Sequence, residues 1–243
     1  MIPSMGSVAS RILLVFALAI LCGCQRDSRP AASDPPPPAP SAPRPPSAPA
    51  PDEGSERPRI VVLGDSLTAG LGLVETQSFP HLLQQKIDEE GYELEVENAG
   101  VSGDTSAGGL RRLDWALQGD VRVLIVALGA NDGLRGLSVA EMTKNLSAIV
   151  RRAQDRGIVV ILAGMEAPPN YGREYATAFR EAYREVALTH RVLFIPFLLD
   201  KVAGQSALNQ GDGIHPNAEG TRIVADTVWA VLEPLLDQIA ASA

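Results

Sequence analysis

Four short segments carry the side chains that acyl transfer requires; three follow strand-like stretches and the fourth follows the last such stretch and a loop. They are Gly64-Asp65-Ser66-Leu67-Thr68-Ala69-Gly70, Asn98-Ala99-Gly100-Val101-Ser102-Gly103-Asp104-Thr105, Gly129-Ala130-Asn131-Asp132-Gly133 and Asp212-Gly213-Ile214-His215-Pro216-Asn217. A serine hydroxyl is a weak nucleophile until an imidazole takes its proton; Ser66 supplies the hydroxyl and His215 the imidazole. Asp212, three residues before His215, reaches Nδ1 within one turn, where it fixes the tautomer and stabilises imidazolium. Donors for a developing oxyanion are the Ser66 backbone N–H, the Gly103 backbone N–H and the Asn131 side-chain amide. Each residue also has a plainer reading. Ser66 can cap a helix, His215 can be a satisfied surface or core histidine, and Asn131-Asp132-Gly133 and Asp212-Gly213 can be turns. Asp65 and Asp132 read as scaffold, Asp65 by orienting the Ser66 loop through backbone hydrogen bonds. His81 and His190 read as structural.

Other chemistries find little support. The chain has three histidines, none in His-x-x-x-His spacing, so no metal is implied. There is neither a Gly-x-Gly-x-x-Gly fingerprint nor a lysine-bearing phosphate loop, so neither NAD nor ATP is implied and no cofactor is expected. A formal charge of -8, or -9 once Arg11 is removed with residues 1–23, argues against nucleic acid as a partner.

The elements that must position these segments alternate. Arg59–Leu63, Leu94–Asn98, Val121–Leu128, Ile158–Leu162 and Arg191–Pro196 read as strands, Val121–Leu128 as a central one buried on both faces. Phe79, Leu82, Leu83 and Ile87 mark a helix. Ser138 and Glu141 open another in a capping-box arrangement that runs to Gln154 and stops at Gly157. Tyr175–Leu188 and Glu219–Ile239 are also helical, the last with a bend expected at Pro234. This pattern gives a three-layer α/β/α sandwich with a mainly parallel sheet of about five strands, whose sites lie at the carboxyl ends of the strands.

That domain occupies residues 59–243. Before it, Arg11 precedes the apolar run Ile12–Leu21, too short to span a bilayer but of signal-peptide length. Leu21-Cys22-Gly23-Cys24 resembles the bacterial lipoprotein box, which implies removal of residues 1–23 and lipidation of Cys24; Leu21 makes Cys22 the poorer candidate. Gln25, a non-aspartate after that cysteine, implies by the same resemblance sorting to the periplasmic side of the outer membrane. Residues 24–58 carry the lipidated cysteine and a spacer that holds 12 of the 19 prolines and favours extended polyproline II. Both cysteines lie in the leader region, leaving the domain without a disulfide or a thiol nucleophile.

Together the four segments resemble the SGNH (GDSL) hydrolases, in particular their bacterial thioesterase/lysophospholipase/arylesterase branch. GDSLTAG carries Ser66 in the nucleophile position, NAGVSGDTSAGG carries Gly103, GANDGLRG carries Asn131, and DGIHPN carries Asp212 and His215. Ala130 stands where a glycine is frequent. The likeness covers about residues 59–240 and implies a flavodoxin-like fold and an acyl-enzyme route acting on acyl esters or thioesters, in a monomer. Ala167-Pro168-Pro169-Asn170-Tyr171-Gly172 looks like a loop that borders the acyl pocket in that branch, which implicates Pro169 and Tyr171. With Leu71, Leu134, Leu137 and Met165, they favour an apolar acyl site. The alternative on the same scaffold is a carbohydrate O-acetylesterase, which needs a small polar site. A non-catalytic envelope binding module would be expected to lack one of Ser66, Asp212 and His215, and all three are present.

Overall fold

The computed structural model describes residues 57–241. The leader run, Cys24 and the proline-rich spacer as far as residue 56 lie outside the described residues. Five strands, β1 (Arg59–Gly64), β2 (Glu95–Gly100), β3 (Val121–Ala127), β4 (Val159–Ala163) and β5 (Leu193–Ile195), form one sheet in the order β2-β1-β3-β4-β5. Every pairing is parallel. β1 and β3 are the most apolar and lie in the middle, with Ile60 to Leu63 and Val123 to Val126 fully buried. A parallel sheet covered by helices on both faces requires this run of apolar residues.

Helices α1 (Ser66–Ala69), α2 (Phe79–Glu89), α3 (Ser106–Ala116), α4 (Ala130–Leu134), α5 (Val139–Gln154), α6 (Arg173–His190) and α7 (Ala218–Ala241) complete the domain. α2 packs on α7, while α3, α5 and α6 form a separate row. Right-handed crossovers put these two groups on opposite faces, because the chain steps from β1 outward to β2 and then back past β1 to β3. The three layers match the sequence expectation. Individual bounds differ: β2 begins and ends later than read, β5 is only three residues, and α7, which runs through Pro234 as read, is longer at both ends.

Three helices escape the pattern of apolar residues. α1 and α4 are too short to show periodicity. α3 contains Gly108 and Gly109, which lower helix propensity. Both glycines are required by packing: a Cβ on Gly109 would stand 2.1 Å from Leu128 Cδ1, and one on Gly108 would stand 2.1 Å from Asp104 Oδ1. α3 therefore lies hard against the end of β3 and the loop after β2, which brings that loop to the site.

Candidate active site

The strand order reverses between β1 and β3, and the carboxyl ends of such neighbours open a crevice. Ser66 stands at the end of β1 and Asn131 at the end of β3. α1 begins at Ser66 itself, with Asp65 as its cap: Asp65 Oδ1 accepts from the Leu67 N–H at 3.0 Å. The short helix presses onto the strand ends, since a Cβ on Gly64 would meet Thr68 Oγ1 at 1.9 Å and one on Gly100 would meet Ala69 N at 2.3 Å. Two glycines thus allow the turn that lifts Ser66 out of the sheet.

His215 closes on Ser66 from the loop before α7. Its Nε2 lies 2.9 Å from Ser66 Oγ and its Nδ1 lies 2.7 Å from Asp212 Oδ2. The other Asp212 oxygen accepts the backbone N–H groups of Ile214 and His215, each at 3.0 Å. One carboxylate therefore shapes the loop and orients the imidazole. These bonds hold the Asp212 carboxyl down at about 2, the His215 backbone N–H first and then the imidazole and the Ile214 N–H. The loop is strapped down by Gln210, whose Nε2 donates to Leu71 O at 2.7 Å and Pro216 O at 2.9 Å. Asn217 Oδ1 then caps α7 by accepting from the Glu219 and Gly220 N–H groups.

Asp65 differs from Asp212. It is fully buried, and burial raises its carboxyl from 3.8 to about 6 against the opposing pull of the Leu67 N–H, the Asn131 amide and His215. Its Oδ2 accepts from Asn131 Nδ2 at 3.2 Å. The Asn131 amide is thus held in the direction that presents nitrogen, and its second N–H remains for another acceptor. Asp132, also buried, takes the N–H and hydroxyl of Ser106 at 2.8 and 2.6 Å and so ties α4 to the start of α3. Gly103, with φ +82°, is exposed on the loop after β2. That loop leaves directly beside Ser66, where the Val101 N–H donates to Gly64 O at 3.1 Å.

Two arginines not singled out in the sequence hold this corner together. Arg112 donates to Asp104 Oδ2, Ala99 O and Gly64 O at 2.6, 2.8 and 2.7 Å, joining the ends of β1 and β2 to α3. Arg135 donates to Gly103 O at 2.8 Å. Partners 48 and 32 residues away leave no local signal in the sequence.

A cavity of about 430 Å³ opens beside Ser66, Asn131 and His215. Its walls include Leu134, Met165, Ala167, Pro168, Phe197 and Ile214. Of the six residues read as favouring an apolar acyl site, Leu134 and Met165 line it, whereas Pro169 and Tyr171 do not. Pro169 starts a single 3-10 turn that carries the chain away, and Pro168 takes the wall position. The Tyr171 ring lies 5.4 Å from that of Tyr175, and its hydroxyl donates to Leu134 O at 3.1 Å. It braces the end of α4, which carries Leu134, from outside the cavity's walls. Leu71 and Leu137 are likewise outside this cavity's walls. No group of three or more His, Cys, Asp or Glu able to hold a metal occurs among the described residues.

Residues 62–223 match the model of the GDSL-like lipase/acylhydrolase family. The chain belongs to that family. It is 43% identical over 178 residues to the esterase TesA of Pseudomonas aeruginosa, covering 73% of this chain and 89% of that one. It is 36% identical over 179 residues to the thioesterase 1/protease 1/lysophospholipase L1 of Escherichia coli, covering 73% and 85%. The crystal structure of TesA superposes with a TM-score of 0.71 at 41% identity, over 73% of this chain and 99% of that chain. The three-layer fold is thus that of the family, and the chain is a serine hydrolase that acts on ester bonds through an acyl-enzyme.

Proposed function

We propose that Ser66 is the nucleophile, His215 its general base and Asp212 the acid that orients the base. The observation that carries this reading is the unbroken line of contacts from Asp212 through His215 to Ser66, at 2.7 and 2.9 Å, at the mouth of an apolar cavity. Ser66 Oγ attacks the acyl carbonyl carbon while its proton passes to His215 Nε2. The oxyanion receives hydrogen bonds from the Ser66 and Gly103 N–H groups and from the free N–H of the Asn131 amide. Collapse breaks the bond from carbon to the leaving oxygen or sulfur, and His215 returns the proton to that atom. Water, losing a proton to His215, then attacks the acyl-Ser66 ester, and the carboxylic acid leaves with Ser66 restored.

The substrate is an acyl ester of a small molecule or lipid, and we extend this to acyl thioesters. Leu134 and Met165 hold the acyl chain. A cavity of about 430 Å³ falls within the range of roughly 300–1,000 Å³ usual for small-molecule sites. Its apolar walls favour chains longer than acetyl over a polar acetylated sugar. Hydrolysis of p-nitrophenyl esters from acetyl to palmitoyl tests this: a maximum at medium or long chains is expected, and turnover confined to acetyl would transfer the reading to the carbohydrate O-acetylesterase. On the sequence features of residues 1–58, we further propose that the protein is exported and acylated at Cys24. The Cys24→Ser chain is then expected to leave the membrane fraction, and its retention there would contradict the anchor.

A further inference from the structure

Eleven large apolar side chains are exposed among the described residues, and seven of them lie on loops or short helical turns at the carboxyl edge of the sheet. Leu71 and Val74 follow β1, Val101 follows β2, Leu134 and Leu137 follow β3, and Ile214 adjoins His215; Tyr171, after β4, completes the set. Isolated exposed apolar residues are ordinary, but a set drawn from five separate segments at one edge of the sheet is not. The loops are also fastened to one another. Gln210 ties Leu71 to the His215 loop, Arg135 ties the Val101 loop to the α4 turn, and the hydroxyls of Tyr171 and Tyr175 hold Leu134 O and Leu137 O at 3.1 and 2.8 Å. Leu134 and Ile214 line the cavity and Leu71 lies beside Ser66 and His215, so the apolar rim is a held set at the same edge of the sheet as the cavity.

We propose that this rim docks on a zwitterionic phospholipid surface, so that an acyl chain passes from the bilayer into the cavity without crossing water. The proposal rests on the ester-hydrolase reading and on the anchor at Cys24. Two observations and one geometric argument select this occupant. Residues 57–243 carry 24 acidic against 17 basic side chains, which opposes an anionic surface and leaves a neutral one. The 32 residues between Cys24 and Arg57 can reach at most roughly 110 Å, so an anchor at Cys24 keeps the domain within that distance of a membrane. A second copy seated on the same rim would instead face one cavity mouth with another and shut both against substrate.

The test uses the full chain with Val74→Ser and Leu137→Ser together, two rim positions outside the walls of the cavity. Co-sedimentation with dioleoylphosphatidylcholine vesicles is read in the Cys24→Ser background, which separates docking from the anchor. Lipidated chains in the same vesicles then hydrolyse bilayer-borne p-nitrophenyl palmitate and water-borne p-nitrophenyl acetate. Val74 and Leu137 are 62% and 42% exposed, and their loss is expected to weaken vesicle binding and palmitate turnover roughly tenfold while acetate turnover is unchanged. Equal binding and equal palmitate turnover by parent and variant would overturn the proposal. So would sedimentation confined to anionic vesicles, or a parental dimer, seen by light scattering, that the variant loses. Failure of the parent to hydrolyse acetate would strike the hydrolase reading alone, because the sedimentation arm needs no catalysis.

Discussion

Replacing Asp65 by asparagine separates two roles that one buried carboxyl performs. In the parent, the carboxylate accepts from both Leu67 N–H and Asn131 Nδ2. In Asp65→Asn the introduced side chain can still accept from Leu67, but its own amide then faces the Asn131 amide donor to donor. Asn131 relieves that conflict by turning its oxygen toward the introduced amide, which also turns it away from donating to the oxyanion. Loss of one such donor costs about 10²–10³ in kcat. Stability is expected to move the other way as pH rises. A buried acid raised from 3.8 to about 6 favours the fold fully below pH 3.8, and that contribution is lost as pH rises through about 6. Between pH 4 and pH 8 this amounts to about 2–3 kcal/mol against the parent, and the uncharged variant escapes it. Urea unfolding of both proteins at several pH values, with p-nitrophenyl butyrate kinetics at pH 8, reads both effects. A variant with parental kcat, or a stability difference that does not change with pH, would refute the reasoning.

Asp212→Asn retains an acceptor for the Ile214 and His215 N–H groups but presents an amide to Nδ1, so kcat is expected to fall by about 10²–10⁴ with the melting temperature little changed. Since Asp212 is held down at about 2, its stabilising effect is present above pH 3.8 and lost as pH falls through about 2. Loss of activity between pH 4 and 7 in the parent should therefore leave the Asp212 carboxylate ionised, which the carboxylate stretch in isotope-edited infrared spectra would record. Arg112→Met takes the guanidinium from Ala99 O and leaves Gly64 O with only the Val101 N–H, and a loss of about 1–3 kcal/mol is expected in urea unfolding. Gly109→Ala pushes a methyl group into Leu128 and is expected to cost about 1–3 kcal/mol although Ala is the better helix former.

The parts of the fold legible in the sequence are those whose burial has a period. β1 and β3 are continuous apolar runs, and α5 and α6 each repeat an apolar face with a cap or stop nearby. α3 is not legible because the glycines that fit it against Leu128 and Asp104 are poor helix formers, so packing overrides local preference. In the site, Ser66, Asn131, Asp212 and His215 can be picked out because strand ends collect chemistry, and the structure brings them to one crevice. The bond from Asp65 to Asn131, the three bonds of Arg112 and the Gln210 strap join residues up to 66, 48 and 139 positions apart, and nothing local marks them. Pro169 and Tyr171 show the converse limit: a segment can be assigned to the pocket's border while the backbone decides which of its side chains faces in.

The central claim, that Ser66 carries the acyl group, is tested most directly by labelling with a fluorophosphonate and locating the adduct by mass spectrometry. One label per chain on Ser66 is expected, formed at a rate that falls sharply in His215→Ala and accompanied by matching loss of ester hydrolysis. A label on another residue, or full hydrolytic activity in a chain phosphonylated at Ser66, would contradict the account.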